Sequence, residues 1–171
     1  MTDPDGFRLM PRRFTEYVAA LAVAYEDEVA GIAYYEELAK AHEGERATKM
    51  LLFREIEVLA AQVLEPLVDR NRAPVFRGPV LLERGRREVA VYVKLEWDQL
   101  MRRMLRDHVA FVDELQQLVD MAPEADREVV QAVTDIEHSI VQFLEREIEG
   151  HPDSTELARE VHGRLQSLAR P

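Results

Sequence analysis

The stretch FREIEVLAAQVLE, residues 53–65, has a close counterpart eighty residues later in VTDIEHSIVQFLE, residues 133–145. Both stretches contain an acidic residue, Ile and Glu, followed at fixed offsets by Gln and by Leu-Glu. The same shift aligns the residues before them without a gap, so that Leu21 matches Met101 and Ile32 matches Val112. Any two amphipathic hairpins can be aligned so that their apolar positions match. The matched Gln and Leu-Glu are not expected from apolar spacing alone. We infer two copies of one helical hairpin, joined by a long crossover.

Apolar residues at helical spacing predict an all-α protein with four long helices and a short last one. The long helices are expected over about residues 12–41, 45–69, 86–120 and 123–149, and the last helix ends near residue 169. Three segments follow from this layout. Residues 1–11 form a flexible N-terminal arm, residues 12–149 form a four-helix bundle with its crossover at 71–85, and residues 150–171 form a tail helix.

The composition of the 171 residues suits one domain with a sizeable core, because 47% of them are hydrophobic. A formal net charge of −11 argues against nucleic-acid binding. The sequence has no cysteine, which excludes disulfides, thiolate nucleophiles and iron–sulfur clusters. No signal-like segment is recognisable, and no apolar run reaches the roughly 20 residues that span a bilayer. We therefore expect a cytoplasmic protein without membrane or nucleic-acid partners.

Four ionisable residues lie within or beside the apolar stripes of the long helices. Glu137 is the clearest, because the residues one and two turns away from it are apolar. The others are Glu28, Glu57 and His108, one on each remaining long helix. A carboxylate in such a position is desolvated unless it is paired or binds a metal ion. Asp135 and His138 also have the spacing of a metal pair, but their helical neighbours are polar, which predicts a solvated face.

The four residues are expected at one level of the bundle. Each lies about 14 to 16 residues from the loop that joins its helix to its hairpin partner, which at 1.5 Å per residue is level within one turn. The shift of eighty maps Glu28 onto His108 and Glu57 onto Glu137, as a pseudo-twofold axis would. Three carboxylates and an imidazole suit iron, manganese or zinc. The alternative interpretation is structural, with a satisfied core histidine and glutamates that reach solvent or pair with arginines.

These motifs resemble the ferritin-like superfamily, most closely its rubrerythrin-type members, over about residues 14–149. EVAGIAYY, residues 28–35, is similar to the first-helix pattern of a metal-binding glutamate followed seven positions later by tyrosine. EIEVLA and DIEHSI fall where that family has its Glu-x-x-His motifs. The resemblance implies that Glu28, Glu57 and Glu137 occupy glutamate-ligand positions and that His108 supplies the third-helix ligand. Ala60 and Ile140 replace the motif histidines, so the dimetal site is degenerate.

The first functional hypothesis is a ferritin-like carboxylate metalloprotein that binds iron or manganese, with zinc as a further option, in the bundle core. With a redox-active metal it would react with oxygen or peroxide as a small-molecule oxidant, and as an enzyme it would be a non-haem metal oxidoreductase. Tyr25, Tyr34 or Tyr35 would then be nearby hydrogen-bond donors.

The second hypothesis is a metal-free ferritin-like scaffold, an oligomerisation or binding module whose site is a relic. A homo-oligomer, most simply a dimer, is expected, with Trp97, Leu100, Phe111 and residues 75–82 as candidates for the interface. A third hypothesis is a helical bundle that holds an apolar ligand near Trp97, Met101 and Met104.

Overall fold

A computed structural model describes residues 10–170, with the exception of the Val109 side chain. Within this range the chain forms helices and no strand, which confirms the predicted all-α class. The helices are α1 (Tyr17–Ala41), α2 (Gly44–Asn71), α3 (Pro79–Val89), a short 3-10 helix (Tyr92–Lys94), α4 (Trp97–Met121), α5 (Glu124–Glu149) and α6 (Glu156–Leu168). Most of the predicted N-terminal arm, residues 1–9, lies outside the described residues.

Two helical hairpins enclose one apolar core. Helices α1 and α2 form the first hairpin and α4 and α5 form the second, while α1 also contacts α4 and α2 contacts α5. Side chains from all four helices are completely buried between them, among them Leu38, Leu64, Leu118 and Leu144. The apolar stripes of the sequence therefore meet in a common interior, and a polar side chain within a stripe is carried into that interior.

The connection between the hairpins differs from the predicted one. Residues 71–85 were expected to form a loop and the third long helix was expected from residue 86, but α3 begins at Pro79 and α4 only at Trp97. Proline favours the first position of a helix because its φ angle is already helical. Leu81, Gly85 and Val89 then recur every four residues and are buried on one face of α3, against α1. Pro79 is thus the start of a helix and Gly85 is a packing contact, whereas Pro74 lies in the non-helical part of the connection.

The first helix starts five residues later than expected, because side chains of α4 bind the preceding backbone. The Arg12 backbone N–H donates to Glu114 Oε1 at 2.6 Å, and the Phe14 N–H donates to Gln117 Oε1 at 3.1 Å. Gln117 Nε2 donates in return to the Arg12 carbonyl oxygen at 3.0 Å. Residues 12–14, here called the N-terminal strap, are therefore hydrogen-bonded to α4 just before α1 begins.

The tail helix α6 packs on its own chain, against α2 and α5, and buries Ala158, Val161 and Leu165. Trp97 and Leu100 are also buried, so their prediction as interface residues is wrong. Trp97 instead donates from Nε1 to Glu147 Oε2 at 2.8 Å, inside the fold. Of the described helices, none combines the length and the apolar character needed to cross a membrane.

Candidate functional site

The four residues singled out in the sequence line one cavity of about 290 Å³. Glu28 comes from α1, Glu57 from α2, His108 from α4 and Glu137 from α5, so each helix of the two hairpins contributes one group. Asp135 and His138 lie outside the cavity; Asp135 pairs with Arg164 and His138 is exposed, as the helical phase predicts. The cavity is further lined by Arg12, Asp27, Gly31, Tyr34, Tyr35, Arg84, Glu88, Tyr92, Met104, Asp107 and Phe111.

Glu28 and Glu57 form a buried carboxyl pair, with only 5% and 6% of each residue exposed. Burial raises the pKa of Glu28 to about 8. Burial, reinforced by the charge of Glu28, raises the pKa of Glu57 well above its ordinary value. The hydrogen bond between the two groups favours the ionised form of Glu28 and the protonated form of Glu57. The pair therefore resists ionisation at neutral pH, and of the two groups Glu57 is the later to lose its proton.

His108 and Glu137 form the second pair. His108 Nε2 lies 2.8 Å from Glu137 Oε2, which is close enough for an ion pair, yet the two atoms are not aligned as a hydrogen bond. Both atoms are shielded from solvent and have no other hydrogen-bond partner among residues 10–170. Buried polar atoms are almost always hydrogen-bonded. Two such atoms side by side in a cavity are therefore positioned to bind a third group.

Gly31 makes room for the Glu57 carboxyl group. It follows Glu28 by almost one turn of α1, and a Cβ atom at this position would lie 2.6 Å from Glu57 Cδ and still closer to Oε2. Real Cβ atoms do not approach other atoms so closely, so only glycine permits the observed position of Glu57. The glycine in EVAGIAYY therefore belongs to the site, although the sequence analysis did not single it out.

Substituting Gly31 by alanine should affect the site more than the fold. Alanine favours the helix by about 1 kcal/mol over glycine, and the displaced group is the end of a flexible side chain, so the melting temperature should change little. The Glu57 carboxyl group must move, so the predicted metal site should lose Mn²⁺ affinity at least tenfold, measured by titration calorimetry. Gly163→Ala in α6, where a Cβ atom meets nothing within 4 Å, is the matched control. Equal affinities in the two variants would show that the room at Gly31 is irrelevant to the site.

Two of the three tyrosines proposed as donors reach the cavity. Tyr34 and Tyr35 line it, whereas the Tyr25 hydroxyl lies near Arg77, at 3.5 Å from Nη1. The Tyr35 hydroxyl is buried and without a hydrogen-bond partner in the described part of the chain. Burial and the neighbouring charges of Glu57 and Glu137 hold its pKa well above the ordinary value. Tyr35 therefore keeps its proton and faces the carboxylates as an available donor.

Asp107 is a buried cavity residue that the sequence analysis missed. The Tyr92 hydroxyl donates to Asp107 Oδ2 at 2.7 Å, and the Nε atoms of Arg103 and Arg106 donate to its two oxygens at 2.6 and 3.1 Å. Arg103 and Arg106 thus neutralise the charge of Asp107. The sequence signal for Asp107 was its position next to His108. This signal is weak, because successive residues of a helix are rotated by about 100° and face different directions.

The four groups form two pairs and not one closed cluster. Within residues 10–170, no three His, Asp or Glu side chains are grouped as they would be around a metal ion. The donor set itself, three carboxyl groups and one imidazole, is chemically suited to a divalent cation. The assignment of Glu28, Glu57, His108 and Glu137 as metal ligands stays a prediction.

Comparisons with known proteins do not assign a function to this cavity. No protein-family model matches the chain, and neither curated proteins nor solved structures give a match to it. Its function has to be inferred from the cavity's own side chains.

Proposed function

We propose that the protein is a ferritin-like carboxylate metalloprotein that binds iron or manganese between Glu28, Glu57, His108 and Glu137. The observation that carries the proposal concerns two buried atoms, His108 Nε2 and Glu137 Oε2. They make no hydrogen bond in the described residues and lie in the same cavity as the Glu28–Glu57 pair. A neutral imidazole nitrogen and carboxylate oxygens are the ligands that these metals accept. The Tyr35 hydroxyl also supports the proposal, because it lines the same cavity and makes no hydrogen bond in the described residues.

Electrostatics favours a cation in this cavity. Burying several carboxyl groups without compensation is costly, and here Glu28 and Glu57 avoid part of that cost by staying protonated. A divalent cation would displace the protons of this pair and neutralise both carboxylates, so that metal binding and proton release are coupled. Small movements of the four side chains would then convert the two pairs into one ligand set.

The proposal includes a ferritin-like fold. The gapless match between the two hairpins supports it, as do the contacts of α1 with α4 and of α2 with α5. Ala60 and Ile140, which replace the family's motif histidines, are both buried and apolar. The centre would therefore hold a single metal or an asymmetric pair. A redox-active metal would supply reactivity toward oxygen or peroxide, with the Tyr35 hydroxyl as a donor near the metal.

The test is metal content in protein expressed with iron and manganese supplements. Plasma mass spectrometry should find about one metal ion or more per chain in the wild type, and at least a tenfold loss in Glu137→Gln. Glu145→Gln, an exposed position on the same helix, is the matched control and should retain the metal. His108→Gln should lose it as well. A wild-type protein without metal, with folding verified by circular dichroism, would contradict the proposal.

The second candidate function is a metal-free ferritin-like scaffold or binding module, for example a homodimer. The observation that favours it is the separation of the four groups into two pairs within the described structure. In that case chelators would leave the melting temperature unchanged, whereas a bound metal stabilises the folded state by mass action. The predicted interface at residues 75–82 contains the exposed side chains of Phe76 and Val80.

A further inference from the structure

The cavity is larger than a metal centre requires. A water molecule takes about 30 Å³ and a cavity of about 150 Å³ accommodates benzene, so an ion with a few waters fills only part of about 290 Å³. The remaining wall is formed by side chains with a large apolar surface, Tyr34, Met104 and Phe111. Cavities of this size and character bind small organic molecules.

Arg84 provides a cationic group in the wall of the cavity. Its Nη2 donates to Asp27 Oδ1 at 2.8 Å and to the Glu26 carbonyl oxygen at 2.7 Å, which holds the guanidinium in place. Its Nε is buried and has no hydrogen-bond partner in the described residues. Glu88 Oε1 lies 3.7 Å from this Nε, which is an ion-pair distance but too long for a hydrogen bond. A rigidly held guanidinium whose Nε N–H makes no hydrogen bond is suited to a carboxylate.

The charges around Arg84 permit an anion. Asp27 is shared between two guanidinium groups, because Arg12 of the N-terminal strap binds its other oxygen. Arg12 also pairs with Glu114 at 2.8 Å through its Nε, whereas the Nε of Arg84 makes no hydrogen bond in the described residues. The side chain of Glu88 is 50% exposed, so solvent screens its charge and it opposes an incoming anion only weakly.

We propose that this cavity binds a small monocarboxylic acid of about a dozen non-hydrogen atoms or fewer. Its carboxylate would lie on Arg84, and its apolar body would extend past Tyr34, Met104 and Phe111 toward His108 and Glu137. Binding itself requires no metal. The assignment of this acid as the substrate class of the metal centre rests on the proposed function. In that case the apolar end of the acid would lie nearest to the metal.

The probe is 3-phenylpropanoate, compared by titration calorimetry with 3-phenylpropan-1-ol and 3-phenylpropylamine, which have the same skeleton and a neutral or cationic head. Chelator-treated full-length protein is expected to bind the acid at least tenfold more tightly than either comparator. Arg84→Gln should lose that preference, and Arg84→Lys should keep part of it. Arg87→Gln, an exposed position on the same helix, is the matched control and should leave the preference unchanged.

Three results would overturn the inference: no binding of the acid to the wild type, equal or tighter binding of the alcohol or amine, or full affinity in a folded Arg84→Gln variant. Acid binding that appears only after metal loading would place the carboxylate on the metal and would also overturn it. Metal content is measured separately on the same samples. Tight acid binding in a protein that never takes up metal would refute the metalloprotein proposal and the substrate assignment while confirming the carboxylate site.

Discussion

The free energy of unfolding of the metal-free protein is expected to fall by at least about 4 kcal/mol between pH 5 and pH 8. Burial raises the pKa of Glu28 from 4.5 to about 8, and for this group each pH unit within that interval is worth about 1.4 kcal/mol. Folded Glu28 holds a proton that the unfolded state releases, so its stabilisation is complete below pH 4.5 and is lost as the pH rises to about 8. Glu57, whose pKa is raised as well, adds to the loss within this interval and extends it to higher pH.

Urea denaturation at several pH values, in the presence of chelator, measures this dependence. Glu57→Gln removes one carboxyl group and offers Glu28 an amide N–H, so the loss between pH 5 and pH 8 should shrink to about half or less. Glu128→Gln, at an exposed position on α5, should behave like the wild type. With saturating Mn²⁺ the slope should reverse, because the metal competes with the proton. A metal-free wild type equally stable at both pH values would refute the protonated carboxyl pair.

Gly85→Ala should destabilise the protein by about 3 kcal/mol or more. A Cβ atom at this position would lie 2.9 Å from the carbonyl carbon of Ala30 and closer still to its oxygen. Backbone atoms cannot rotate away as a side chain does, so α3 would have to move off α1 and expose Leu81 and Val89. For a chain of this length we expect the melting temperature to fall by about 6 to 12 °C.

The matched control for Gly85→Ala is Gly163→Ala, which makes the same substitution in a helix where the new Cβ atom meets nothing within 4 Å. It should raise stability by up to about 1 kcal/mol, because alanine favours helix over glycine. Calorimetric melting curves of both variants provide the comparison. Similar melting temperatures would mean that α3 has room to adjust, and that its contact with α1 is not close-packed.

Much of the arrangement around the cavity was predictable because helical phase is a local property. A residue within an apolar stripe is carried into the interior wherever the helix packs, and this places Glu28, Glu57, His108 and Glu137 in the core. The repeat of the hairpin predicts their common level. The start of α3 was not predicted, because proline and glycine serve both loops and helix termini. The apolar face of α3 is short, which makes its period hard to recognise.

Spacing along single helices is enough to predict the all-α class, the two matched hairpins and the placement of the four ionisable groups toward the interior. Which groups meet depends on how the helices pack against one another. The packing pairs Glu28 with Glu57 and His108 with Glu137, directs Arg103 and Arg106 to Asp107, and brings Arg84 into the wall of the cavity. These pairings could not be predicted because burial and charge pairing depend on distances between helices, and close contacts such as those at Gly31 and Gly85 set these distances.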